Sequence, residues 1–148
     1  MELFHLLYVS SAAKGVGLEV LREIQQSAES QNADSGITGA LVYGRGEFLQ
    51  VLEGGRREVS QTYNRIARDP RHLDLELIVV SPIPSRAFAS WEMCCVPLDE
   101  DQSSKQSGVI RSLTGSAEFT PRKWDGAVAH NVLLEIAKGS VVTNREHP

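Results

Sequence analysis

Residues 36–54 read GITGALVYGRGEFLQVLEG, and the fold is decided in this stretch. Two apolar runs flank Gly44-Arg45-Gly46, where glycine accepts the positive φ of a tight turn, so the stretch predicts a hairpin of two strands, GITGALVY and EFLQVLE. In the second strand Phe48, Gln50 and Leu52 share a face by the two-residue period, which sets a carboxamide in the middle of an apolar surface. An amide buried without partners costs about 1–3 kcal/mol, so Gln50 must be hydrogen-bonded.

Toward the N-terminus, LFHLLYVS (residues 3–10) is too short for a helix and is followed by a glycine-containing turn, so it reads as a strand. Phe4, Leu6 and Tyr8 share one face, and Leu3, His5, Leu7 and Val9 the other. Both faces are largely apolar, which predicts a central strand covered on both sides. Between it and the hairpin, GLEVLREIQQSAESQN predicts a helix with Leu21, Ile24, Ala28 and Gln31 inward and Asn32 at its end.

Toward the C-terminus, a second helix follows Gly54 and Gly55, with Val59, Tyr63 and Ile66 inward, and stops near Pro70. LDLELIVVSPI is read as a fourth strand and FASWEMCCVPL as a fifth, with Trp91 and Met93 on one face and Glu92 and Cys94 on the other. The order βαββαββ predicts an α+β, ferredoxin-like sheet with an added strand and two helices on one face. In this topology the first and third strands are neighbours, and Tyr8 lies on the face that meets Gln50. The expected division is a domain over residues 1–98 and a helical extension over 99–148. That extension opens with the polar DEDQSSKQSG and holds two helical candidates, VIRSL and WDGAVAHNVLLEIAKG, expected on the other sheet face. Val128, Val132, Leu133 and Ile136 form an apolar set suited to that packing or to a subunit interface.

Composition bounds the partners. In 148 residues, 41% hydrophobic and 23% charged, with a net charge of -4, there is length for one core and no cationic footprint for nucleic acid. No apolar run approaches the ~20 residues needed to span a bilayer, and the N-terminus lacks the features of a signal peptide, so a cytoplasmic protein is expected. Cys94 and Cys95, adjacent in sequence, are read as reduced, buried thiols.

Signatures of catalysis are missing: no G-x-S-x-G, H-E-x-x-H, P-loop or C-x-x-C occurs, and Gly15-Val16-Gly17 lacks the third glycine of a dinucleotide fingerprint. His5, His72, His130 and His147 are too dispersed to suggest a metal site. The expectation is a protein that is not an enzyme. Taken singly, the polar residues have ordinary explanations. Tyr8 and Gln50 can satisfy each other in a core, and Asn32 can serve as a C-cap or turn residue. Arg65 and Asp69 suit an exposed i,i+4 ion pair, Arg71 and His72 a helix end, and Trp91 and Met93 core packing.

Together these positions resemble the BLUF family of blue-light sensors using flavin. LLYVS with Tyr8, SQNADSGITGALVYGRGEFLQVLEG with Asn32 and Gln50, DPRH (residues 69–72), and FASWEM with Trp91 and Met93 match the family pattern in order and spacing, over about the first hundred residues. The resemblance implies a non-covalently bound flavin, FAD by family expectation with FMN or riboflavin as alternatives, whose ring lies between Ile24 and Ile66. It implies that Asn32 bonds the ring's polar edge, that Arg65, Asp69, Arg71 and His72 serve the pyrimidine end, and that Phe48 belongs to the cofactor site. Light-driven electron and proton transfer from Tyr8 to the flavin, and rearrangement of Gln50, would then be relayed through Met93 and Trp91. The tail resembles that of short, stand-alone members without an attached enzyme domain, some of which form homo-oligomers that bind a response-regulator-like protein. Two other classes remain at this point: a small ferredoxin-like flavin oxidoreductase or hydrolase, and a scaffold in which Tyr8 and Gln50 are only core groups.

Overall fold

The computed structural model describes residues 2–99 and 101–146, with side-chain surroundings up to residue 140. Strand β1 (Leu3–Ala12) runs through the middle of a five-stranded sheet, so its residues from Leu6 to Ser10 are all buried. The other strands are β2 (Thr38–Gly44), β3 (Glu47–Gly55), β4 (His72–Ile83) and β5 (Cys94–Pro97), in the order β4-β1-β3-β2-β5. Pairing is antiparallel except between β2 and β5, which run parallel.

Each sheet face carries its own apolar core. On one, Leu6, Tyr8, Leu41, Phe48 and Leu52 pack beneath α1 (Leu18–Ser35) and α2 (Arg56–Ala67) through Leu21, Ile24 and Val59. On the other, Leu7, Val42, Leu49 and Val51 meet α3 (Lys105–Thr114) and α4 (Gly126–Glu146) through Ile110, Ala129, Val132, Leu133 and Ile136. The period of two in the strands divides these sets, and the C-terminal helices cover the second face as expected. Val132, Leu133 and Ile136 are thereby used within the chain, which leaves them out of any subunit interface. A 3₁₀ turn at Pro121–Lys123 precedes α4, and Arg122 ties it to the sheet through Glu47, Glu76 and the Ser11 hydroxyl.

Three local expectations are corrected. Helix α1 continues one turn past Asn32 and stops where Gly36 adopts φ 72°, so its buried stripe runs Leu21, Ile24, Asn32 while Gln31 is exposed. The stretch FASWEMCCVPL is a strand only over its last part. Ala87 and Phe88 give their N–H groups to a side chain, the Glu53 carboxylate, and Trp91 N–H turns back to Phe88 O, so these groups are lost to a ladder. Trp91 and Met93 consequently do not share a face: Met93 enters the core under α1 and α2, whereas Trp91 packs in the opposite core with its ring 6.0 Å from Phe88. Finally, Asp69 lies beyond the end of α2 and pairs with Arg71 rather than Arg65.

Candidate flavin site

A cavity of about 290 Å3 opens between α1 and α2 over the sheet, near the low end of the ~300–1,000 Å3 typical of small-molecule sites. Ile24 and Ile66 face it from the two helices. Asn32, Gln50, Arg65, Asp69, Arg71 and His72 also line it, so the structure brings most of the sequence-derived candidates to one place.

Tyr8 and Gln50 stand directly opposite each other on β1 and β3, both buried, and the phenol O–H donates to Gln50 Oε1. Gln50 Nε2 donates to Met93 Sδ at 3.3 Å, a weak sulfur acceptor. Burial pushes the Tyr8 phenol well above its ordinary pKa, reinforced by Tyr63, Cys95 and Asp69, so its proton is firmly held. Asn32 is spanned differently: Nδ2 donates to Glu92 O at 2.8 Å, while the buried Oδ1 has no protein partner among the described residues. An orphaned carbonyl oxygen on a cavity wall is matched by an N–H donor on a ligand edge, which the imide of an isoalloxazine supplies.

At the other end, Arg71 forks onto both oxygens of Asp69, with Nη2 to Oδ2 at 2.6 Å, and this hydrogen bonding first of all holds the carboxyl below the usual range. His72 is buried, its Nδ1 3.0 Å from Ser10 Oγ, and desolvation lowers its pKa to about 4. It is therefore a neutral ring, packed tilted against Phe48 with centroids 4.6 Å apart. Phe48 is fully buried between His72 and Tyr43 and backs the wall behind His72.

Sequence reasoning passed over Thr62, Ser10 and Glu53. Thr62 is buried on the cavity wall and falls on the same helical stripe as Val59 and Ile66, so its position was readable; the Ser10–His72 bond, across 62 residues, had no local signal. Burial raises the Cys94 thiol to about 11 and Cys95 to about 12, and both are free. Among the described residues, no group of three or more His, Cys, Asp or Glu side chains could hold a metal ion, and no helix is long and apolar enough to cross a membrane.

A slot between two helices, with an orphaned amide oxygen on its wall and a buried phenol–carboxamide pair beside it, defines a ferredoxin-like domain fitted to a planar heterocycle. The chain belongs to the BLUF family, the sensors of blue-light using FAD, whose pattern matches residues 3–94. It is thus a flavin-binding blue-light sensor. It is 35% identical over 105 residues to the photoactivated adenylate cyclase subunit alpha of Euglena gracilis, a match covering 71% of this chain and 10% of that protein. Subunit beta of Euglena longa is 37% identical over 89 residues, covering 60% and 10%. The chain spans about a tenth of the length of these relatives. Among solved structures, the BLUF protein BlrB in its dark state superposes with a TM-score of 0.74 at 27% identity, covering 93% of this chain and 97% of that one. BlsA in its photo-activated state gives 0.80 at 25% identity, covering 91% and 94%.

Proposed function

We propose that the chain holds FAD, in preference to FMN or riboflavin, between Ile24 and Ile66, and signals through the Tyr8–Gln50 pair to a partner or to other copies of itself. The observation that carries the switch is the Tyr8 O–H···Oε1 Gln50 bond at the cavity wall, and FAD follows the description of the family. Asn32 Oδ1 is free to accept from the ring edge, and Arg65, Asp69, Arg71 and His72 line the polar end. When bound, the ring supplies absorption of blue light and an electron-accepting excited state.

With the flavin bound, Tyr8 would serve as its electron and proton donor, the hydroxyl being already directed at Gln50 Oε1, and Gln50 would be the group whose carboxamide reverses. An amide suits this role because its two ends are a donor and an acceptor of nearly equal size. Reversal turns Oε1 toward Met93 Sδ, replacing a donor–acceptor contact by two acceptors, so the segment carrying Met93 is pushed to move. The same segment carries Trp91 into the core under α4, which supports an output through the C-terminal extension, residues 99–148, in a homo-oligomer or a complex with a response-regulator-like protein.

The test is the colour of the purified protein. A yellow protein whose absorption shifts slightly to the red in blue light and recovers in darkness is expected, and a Gln50→Leu variant that stays yellow without shifting. A colourless protein, or one bleached with substrate turnover, overturns the proposal.

A further inference from the structure

Glu53 is fully buried, and a carboxylate taken out of water is costly unless its lone pairs are well matched. It sits on β3 three residues after Gln50, and hence on the opposite face of the strand. Oε2 accepts from Ala87 N–H at 2.7 Å, and Oε1 accepts from Phe88 N–H at 2.9 Å and from the Thr38 hydroxyl at 2.9 Å. The Arg86 guanidinium closes the group by donating to Thr38 Oγ1 at 2.9 Å and to the Glu53 carbonyl at 3.1 Å. His5 and His130, 5.4 Å apart ring to ring, are both held below the ordinary histidine range, chiefly by burial, so they add no full charge at neutral pH.

These bonds grip one end of the loop between β4 and β5. From there each step is fixed in turn: Trp91 N–H to Phe88 O, Gly39 N–H to Trp91 O, Asn32 Nδ2 to Glu92 O, then Gln50 Nε2 to Met93 Sδ. The strand that carries Gln50 therefore also holds the base of the loop that brings Met93 to Gln50. Glu53 thus anchors, from behind the sheet and outside the cavity lining, the first link of a chain of bonds that ends at Met93. The geometry points to Glu53 as the positioning residue that seats Met93 against Gln50 and confines light-driven movement to residues 89–93. This inference rests on the switch proposed above.

A double-mutant cycle on the holoprotein tests it, with dark recovery of the red-shifted state as the readout. Glu53→Gln is expected to change the recovery rate by about tenfold, the low end of the effect of losing one charge-assisted bond, with flavin retention unaltered. In a Met93→Ala background the same substitution is expected to change it by less than about twofold, because its route of action is gone. Equal changes in both backgrounds, or none in either, overturn the assignment, since a purely structural role predicts the first and no role the second. Where Glu53→Gln does not fold, Thr38→Val carries the same cycle with one donor removed. Amide hydrogen exchange in darkness separates this inference from the photochemical one. Faster exchange at Ala87 and Phe88 in Glu53→Gln supports the anchor even if the wild type fails to photocycle, and unchanged exchange there overturns it.

Discussion

Tyr8 and Gln50 are paired residues in the register of β1 and β3, and the phenol O–H is the donor in their bond. Register alone thus keeps the two side chains together; neither needs a flexible loop to find the other. Tyr8→Phe preserves the ring that packs against Tyr63 at 5.6 Å while removing only the hydroxyl. The variant is expected to bind flavin and form no red-shifted state, with about 1–3 kcal/mol of stability lost because Gln50 Oε1 is left unpaired. Absorption spectra under blue light and a denaturant melt check both parts; normal photocycling would make Tyr8 a packing residue.

Asn32→Ala removes the orphaned Oδ1 together with the bond to Glu92 O. Flavin affinity is expected to fall by about 1–3 kcal/mol, or roughly five- to 150-fold in Kd. Titration of apoprotein with flavin, followed by fluorescence quenching, measures it. Unchanged affinity would return Asn32 to a helix-packing role.

Acid should destabilise the fold through His72. Its pKa falls from 6.5 to about 4 on folding, chiefly by burial, so between those values the unfolded chain binds a proton that the folded chain refuses. Stability is complete above about pH 6.5, declines as pH is lowered through the window, and levels off for this group below about pH 4, a loss of about 3 kcal/mol. His5 and His130 shift in the same direction. Melts across pH 7 to 4 are expected to show a shallower slope for His72→Gln than for wild type; superimposable slopes would remove His72 as the source.

Met93 and Trp91 should behave differently, because they enter opposite cores. Met93→Ala is expected to alter the spectral shift or its recovery, having lost the contact with Gln50 Nε2. Trp91→Ala is expected to keep the shift and to change the light dependence of oligomeric state or partner affinity. A coupling of about 1–3 kcal/mol is enough for a several-fold effect. Size-exclusion chromatography with scattering, in darkness and blue light, reads this; normal light responses in both variants would exclude the loop as the route.

The sheet was legible because period-two patterning is a local signal. Tyr8 and Gln50 each declare a face, and the topology of the five elements then makes those faces meet. The two-sided apolarity of β1 likewise announced the C-terminal cover. What stayed hidden depends on long-range partners. Nothing near Phe88 reveals that a carboxylate 35 residues earlier claims its N–H, so the local pattern alone extends the fifth strand too far and sets Trp91 on the face of Met93. Asp69 suits Arg65 only if α2 continues through it, whereas the helix ends at Ala67.

Met93 reaches Gln50 by passing Gly39, where a Cβ would stand 2.0 Å from the Val51 carbonyl oxygen and 3.4 Å from Met93 Cε. The first neighbour is backbone in the adjoining strand and has no room to retreat. Any side chain at this point of β2 would therefore have to displace the backbone of β3, a costly shift. Substitutions that retune the response time are therefore expected at Met93 itself or in the loop before it, and a selection for altered dark recovery should concentrate there rather than at Gly39.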